Sequence, residues 1–194
     1  MIVAGEASGD LHGSGVVKEL RKRMPQADIY GIGGDKMQAA GMHLIYHVRE
    51  LAFMGFWEVI QHLPLIRSVE RTLQALLKVR KPDVLLLIDY PGFNLRFAQA
   101  ARKEGIRILY YISPQVWAWN PGRVKKMKGL IDKVLAVFSF EVEIYEKEGI
   151  DVEFVGHPLL EVLTETQSRP EFCKRWGLAE TKTIVGLFPG SRQQ

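Results

Sequence analysis

Residues 84–94 read VLLLIDYPGFN, and this stretch decides the fold. Its five leading apolar residues predict a strand buried on both faces, as the strands of parallel sheets are. The strand ends at Asp89, because the Pro91-Gly92 pair that follows breaks it. Ligands of open α/β sheets bind outside the carboxyl ends of the strands, so Asp89 is the first candidate for a group that does chemistry. The alternative is a structural role for Asp89, as a helix cap or a turn residue.

Similar short apolar runs recur along the chain, with helical patterns between them. Strands are predicted at residues 2–4, 29–32, 43–46, 84–88, 106–112, 133–137 and 152–155. Helices are predicted at residues 10–23, 35–40, 56–80, 93–103, 121–130 and 140–147. This alternation predicts an α/β, Rossmann-like fold, in which a parallel sheet carries helices on both faces.

The pattern changes after residue 157, which divides the chain into an N-terminal domain (1–157), a polar linker (158–170) and a C-terminal segment (171–194). The last segment contains a short helical pattern and one apolar strand pattern at residues 183–188. A single strand cannot bury both of its faces. We therefore interpret residues 171–194 as the first helix and strand of a truncated second α/β domain, and expect the chain to be a fragment.

Composition narrows the class of protein. The chain has 194 residues, of which 47% are hydrophobic and 25% charged, as in soluble globular proteins. No apolar run approaches the roughly 20 residues of a membrane span, and no signal peptide is recognisable, so we expect a cytoplasmic protein. Cys173 is the only cysteine, which excludes an internal disulfide. A net charge of +4 favours anionic partners. The densest basic run, at residues 123–128, lacks the interleaved aromatic residues of a nucleic-acid platform.

A glycine-rich turn follows the first strand, where residues 5–13 read GEASGDLHG. Such a turn, leading into a helix N-terminus, binds anions through its backbone N–H groups. The spacing matches neither the dinucleotide fingerprint nor the P-loop. The candidate binding residues are Glu6, Ser8, Gly9 and Asp10, although Ser8 and Asp10 also fit simple helix caps.

Two aromatic regions suggest contact with sugar or lipid. Trp117 and Trp119 follow the fifth strand, where their rings suit a sugar or an acyl chain, or else pack the next helix. Residues 51–66 form a helical stripe wider than a sheet-facing helix requires, which predicts a membrane-facing or acyl-binding surface, with core packing as the alternative. The residues of that surface are Phe53, Phe56, Trp57, Val59, Ile60, Leu63 and Ile66.

Histidine placement gives one further candidate. His157 lies where the last strand of the first domain meets the linker, and we expect it to face the interdomain cleft. The other histidines have no ligand spacing, and we propose no metal site.

Six sequence blocks together carry a family resemblance. They read GEASGD (5–10), ELAFMG (50–55), IDYPGFN (88–94), SPQVWAW (113–119), GHP (156–158) and PGSR (189–192). In this order, over nearly the whole chain, they closely resemble the lipid-A-disaccharide synthases.

The resemblance implies a GT-B-type glycosyltransferase with two Rossmann domains and no cofactor. Its substrates would be UDP-2,3-diacylglucosamine as donor and 2,3-diacylglucosamine 1-phosphate as acceptor, and its products lipid A disaccharide 1-phosphate and UDP. The N-terminal domain would serve the acceptor and the cytoplasmic face of the inner membrane, and the C-terminal domain would bind most of the nucleotide sugar. The chain alone is therefore expected to be inactive, and a homodimer is left open.

The implied β linkage requires inversion at the anomeric carbon, and hence a base and a group that stabilises the leaving diphosphate. We assign these roles to Asp89 and Arg192. Substrate would also be held by Glu6, Ser8, Asn94, Ser113, Gln115, Gly190 and Ser191. The alternatives are a UDP-sugar 2-epimerase of the same architecture and a lipid- or membrane-docking module without catalysis.

Overall fold

The structure is a computed structural model that describes residues 1–51, 63–114, 122–161 and 167–188. The chain divides into two compact units, Met1–Pro158 and Leu159–Gln194.

Seven parallel strands form one sheet in the first unit, which confirms the predicted α/β class. Their order across the sheet is β3-β2-β1-β4-β5-β6-β7. The strand order therefore reverses between β1 and β4, and the turns that follow these two strands flank a crevice at the carboxyl edge. The strands are β1 (Ile2–Ala4), β2 (Tyr30–Gly33), β3 (His43–His47), β4 (Val84–Ile88), β5 (Arg107–Tyr111), β6 (Lys133–Ala136) and β7 (Val152–Phe154).

Helices connect the strands of the first unit, and one further described helix lies in the second unit. Within the described ranges they are α1 (Ala7–Arg23), α2 (Asp35–Ala39), α3 (Leu63–Arg80), α4 (Pro91–Lys103), α5 (Gly122–Met127), α6 (Ser139–Lys147) and α7 (Arg169–Trp176), with single 3-10 turns at Val48–Glu50 and Pro158–Glu161.

The central strand β4 contributes to the core on both faces of the sheet. Leu85 and Leu87 belong to a cluster with the buried residues of α3 and α4. Leu86 and Ile88 belong to a second cluster with buried residues of α1 and α2. Successive side chains of a strand point to opposite faces, so a strand covered on both sides needs apolar residues at every position.

The predicted membrane-facing or acyl-binding surface includes Leu63 and Ile66. Ile66 is only 7% exposed and belongs to the core cluster, so its assignment to a lipid-facing surface is wrong. It continues the inward stripe of α3 that includes Val69 and Leu73 at helical spacing, and that stripe packs on the sheet. Leu63 is half-buried. The other members of the predicted surface, Phe53, Phe56, Trp57, Val59 and Ile60, lie outside the described residues.

No helix in the part of the chain that the structure describes is both long and apolar enough to cross a membrane.

The second unit contains α7 but not the predicted strand. At the start of α7, Glu171 accepts hydrogen bonds from the backbone N–H and the hydroxyl of Ser168. Residues 183–188 have no regular structure, and the side chains of Val185 and Leu187 are 87% and 89% exposed. No described strand pairs with this segment, so its strand-forming sequence has no ladder to join.

Candidate active site at the carboxyl edge of the sheet

The turns after β1 and β4 touch each other at the crevice. The Tyr90 ring lies directly on the backbone of Gly5, because a Cβ atom placed on Gly5 would be 2.1 Å from Cδ1 of Tyr90. Only glycine allows this approach. The two turns therefore form one surface at the point where the strand order reverses.

Three residues at the ends of β4 and β5 adopt left-handed backbone conformations. The φ angles are +49° at Asp89, +47° at Tyr90 and +55° at Ile112. This region is sparsely populated by residues other than glycine, and least of all by β-branched ones. Backbone strain of this kind collects at functional sites, where the surrounding structure holds it in place.

Hydrogen bonds hold the main chain of Asp89 on both sides. Its N–H donates to the carbonyl of Tyr111 at 3.2 Å. Its carbonyl accepts from the Tyr110 hydroxyl at 2.7 Å and from Nδ2 of Asn94 at 2.8 Å. Asp89 itself is half-buried at the edge of the sheet. The structure thus places Asp89 at the crevice, with its backbone conformation held by β5 and α4.

Glu6 lies beside the same turn. It occupies the N-cap position of α1, where its side chain makes no capping hydrogen bond. Burial raises the pKa of the Tyr90 hydroxyl, the negative charge of Glu6 raises it further, and Arg96 acts in the opposite direction. Two of the predicted site residues, Glu6 and Asp89, therefore lie on neighbouring turns at the crevice.

The remaining residues of the glycine turn serve different purposes. Ser8 is exposed at the start of α1. Gly9 is buried, and a Cβ atom on it would lie 3.1 Å from Cβ of Ala4. The missing side chain of Gly9 lets α1 pack closely on β1, and its role in substrate binding stays a prediction.

Asp10 caps a helix. It is 6% exposed, and its carboxylate accepts from the backbone N–H groups of Gly34 at 2.8 Å, Met37 at 2.9 Å and Lys36 at 3.1 Å. The N-terminus of α2 uses both carboxylate oxygens, which favours the structural alternative, a helix cap, for Asp10. The sequence suggested a cap for the first helix, whereas Asp10 caps the second.

Asn94 and Ser113 are also buried. Asn94 has no exposed surface, and its Nδ2 donates to the main chain at the end of β4. Ser113 is 5% exposed and lies beside Tyr145, whose pKa burial raises to about 12 while Ser113 acts to lower it. Both side chains are buried, and their predicted contact with substrate stays a prediction.

His157 meets a second histidine that the sequence did not single out. The rings of His12 and His157 are edge to face, with centroids 6.3 Å apart, and Phe138 lies 5.3 Å from His157. Burial lowers the pKa of His12 below its ordinary 6.5, and His157 lowers it further. The available signal was the position of His12 early in the helix that follows the glycine turn.

Other predicted site residues lie outside the described ranges, namely Gln115, Trp117, Trp119, Gly190, Ser191 and Arg192. Among the residues that the structure does describe, no three or more His, Cys, Asp or Glu side chains are grouped to hold a metal ion.

A groove between α3 and α4 does not belong to this site. Gln74 and Gln99 are among its lining residues, and Arg96 Nε lies 3.0 Å from Glu70 Oε2 within it. Both helices pack on a face of the sheet. The crevice lies instead at the carboxyl edge.

Comparison with known proteins identifies the family. A family model described as lipid-A-disaccharide synthetase matches residues 1–194. The chain belongs to this family. It is 50% identical over 193 residues to a lipid-A-disaccharide synthase of Geobacter metallireducens, and 48% identical to one of Geobacter sulfurreducens. A third, of Coxiella burnetii, is 44% identical over 194 residues. In each comparison all of the chain is covered, and the chain spans about half the length of these relatives.

We predict that Asp10→Ala lowers the free energy of unfolding of this family member by about 2–3 kcal/mol, because it leaves buried N–H groups of α2 without an acceptor. The matched control is Asp35→Ala at the start of α2 itself, where an exposed carboxylate pairs with Arg49. We expect it to cost less than about 1 kcal/mol. Urea unfolding measures both, and equal losses would show that Asp10 is not the cap.

We predict that His12 titrates below 6.5, as measured by NMR of the imidazole carbons. Its folded-state pKa lies below the unfolded value, so between the two the unfolded chain binds more protons, and stability is lost as the pH falls from about 6.5 through the folded-state pKa. His157→Gln removes one of the two causes and raises the midpoint of His12, whereas His43→Gln on β3 leaves it unchanged. An unmoved midpoint in His157→Gln would contradict the pairing.

Proposed function

We propose that this chain supplies the acceptor half of an inverting glycosyltransferase of lipid A synthesis. The reaction joins UDP-2,3-diacylglucosamine to 2,3-diacylglucosamine 1-phosphate and releases UDP. The observation that carries the proposal is the family match over residues 1–194, with Asp89 held at the crevice by main-chain hydrogen bonds. The alternative epimerase activity is not favoured, because the relatives share the name of the synthase.

The chemistry assigns Asp89 as general base. The 6-hydroxyl oxygen of the acceptor forms a bond to the anomeric carbon of the donor, the bond from that carbon to the diphosphate oxygen breaks, and the hydroxyl proton passes to the Asp89 carboxylate. A positioned base of this kind contributes roughly 10²–10⁴-fold. A half-buried position supports this role, because a sealed carboxylate could not reach a sugar hydroxyl.

Glu6 and Arg192 complete the proposed machinery. Glu6 would accept hydrogen bonds from acceptor hydroxyls, since it lies beside the turn that carries Asp89. Arg192 would neutralise the diphosphate as the bond to the sugar breaks, through paired N–H donors and a permanent charge. The role of Arg192 remains a prediction from the sequence.

The basic outer face of α3 supports membrane docking. Arg67, Arg71 and Lys78 are exposed at helical spacing, away from the buried stripe of the same helix. The chain carries a net charge of +4, and anionic headgroups attract each basic residue near the surface by about 1 kcal/mol. We infer that this face meets the cytoplasmic leaflet of the inner membrane, where both acylated substrates reside.

Asp89→Asn tests the base. We join this chain to the C-terminal half of the Geobacter metallireducens relative and follow radiolabelled disaccharide lipid. The amide cannot take the proton, so kcat should fall by about 10²-fold or more while acceptor binding persists.

The matched control for that variant is Asp83→Asn, which changes a carboxylate immediately before β4, at the other end of the strand. We expect its kcat to stay within about twofold of the unmutated chimera. Near-normal turnover by Asp89→Asn would remove the base assignment. An epimerised sugar, or no disaccharide from the unmutated chimera, would overturn the proposed function.

Replacing Arg67, Arg71 and Lys78 with Gln should weaken binding to phosphatidylglycerol vesicles by roughly 10- to 100-fold. Cosedimentation measures the binding, and added salt should reduce it for the unmutated chain. The control replaces three basic residues of α1, namely Lys18, Lys22 and Arg23, which are also exposed. Equal losses in both triple variants would show that net charge, and not the face of α3, controls docking.

A further inference from the structure

Tyr110 is a fully buried tyrosine whose hydroxyl points to the end of the neighbouring strand. The residue has no exposed surface, and its Oη donates to the carbonyl of Asp89 at 2.7 Å. A buried hydroxyl is costly unless it is hydrogen-bonded. The contact with Asp89 therefore explains why a phenol, and not a phenylalanine ring, fits this position.

Asp89 has an unfavourable backbone conformation that needs support from its surroundings. With φ at +49° and a following Tyr90 at +47°, the turn contains two consecutive left-handed residues that are not glycine. Such residues persist only where neighbouring groups hold them. Tyr110 and Asn94 both donate to the Asp89 carbonyl. These bonds prevent rotation of the peptide group between Asp89 and Tyr90.

The other side of Asp89 is fixed by the same strand that carries Tyr110. The Asp89 N–H donates to the carbonyl of Tyr111, so adjacent residues of β5 contact both main-chain polar groups of Asp89. With its N–H and its carbonyl both held, the direction of the Cα–Cβ bond follows. That direction determines where the carboxylate lies relative to an acceptor hydroxyl.

We propose that Tyr110 is a positioning residue for the base: its hydroxyl holds Asp89 in the left-handed conformation that presents the carboxylate at the crevice. This inference rests on the proposed function for its catalytic consequence, but the positioning itself is a property of this chain. Tyr110 does not touch substrate. It acts through Asp89.

The kinetic test compares Tyr110→Phe with Tyr30→Phe. Each variant removes one hydroxyl from a tyrosine buried in the same core cluster, and the Tyr30 hydroxyl has no hydrogen-bond partner among the described residues. In the chimera we expect Tyr110→Phe to lower kcat about 10-fold with KM within about twofold, because a misplaced base slows chemistry without weakening acceptor binding. Tyr30→Phe should leave both constants within about twofold.

A second measurement needs no turnover. Amide hydrogen exchange at Asp89, measured by NMR on the 194-residue chain, should be about 3- to 10-fold faster in Tyr110→Phe and unchanged in Tyr30→Phe. Equal protection at Asp89 in both variants, or an equal fall of kcat in both, would overturn the positioning role. If exchange changes as expected but the unmutated chimera makes no disaccharide, the positioning holds and the proposed function fails.

Discussion

The pairing of β1 with β4 is the constraint on which the site depends. The register places Ala4 opposite Ile88, so the chain leaves both strands at the same level of the sheet. Gly5 directly follows Ala4, Tyr90 is the second residue after Ile88, and the two pack against each other. A shift of register by one residue would exchange the faces of every side chain in β4 and separate the two turns. The crevice is thus a direct consequence of two apolar strands pairing in one alignment.

Polar residues close to the crevice differ in how deeply they are buried. The Asp10 carboxylate is used by the N-terminus of α2, and Asn94 by the main chain at the end of β4. Burying such groups is acceptable because each bond replaces one lost to water. Glu6 and Asp89 are half-buried on turns that meet at the edge. Burial therefore separates the polar residues that stabilise the turns from the two that we propose for chemistry.

The sequence predicted the sheet well because each strand is a short apolar run. The expected bounds at residues 2–4 and 84–88 are those of β1 and β4. The roles that it missed depend on tertiary neighbours. The backbone N–H groups that Asp10 caps lie at least 24 residues away in the sequence. The apolar spacing at Ile66 does not show whether the helix packs on a sheet or on lipid. Residues 183–188 likewise have a strand-forming sequence but no strand, since a strand forms only beside a partner strand.

The described hydrogen bonds that hold the Asp89 main chain come from within Met1–Pro158. The described contacts inside this unit therefore hold the main-chain conformation of the proposed base. Charge stabilisation of a leaving diphosphate has the opposite requirement, because its proposed group, Arg192, belongs to the other unit. In the proposed reaction, proton removal uses a carboxylate on a turn held by hydrogen bonds at the sheet edge, whereas leaving-group stabilisation uses a residue of the second unit. A preorganised base costs no reorganisation when the substrates meet, which is the condition under which a carboxylate is most effective.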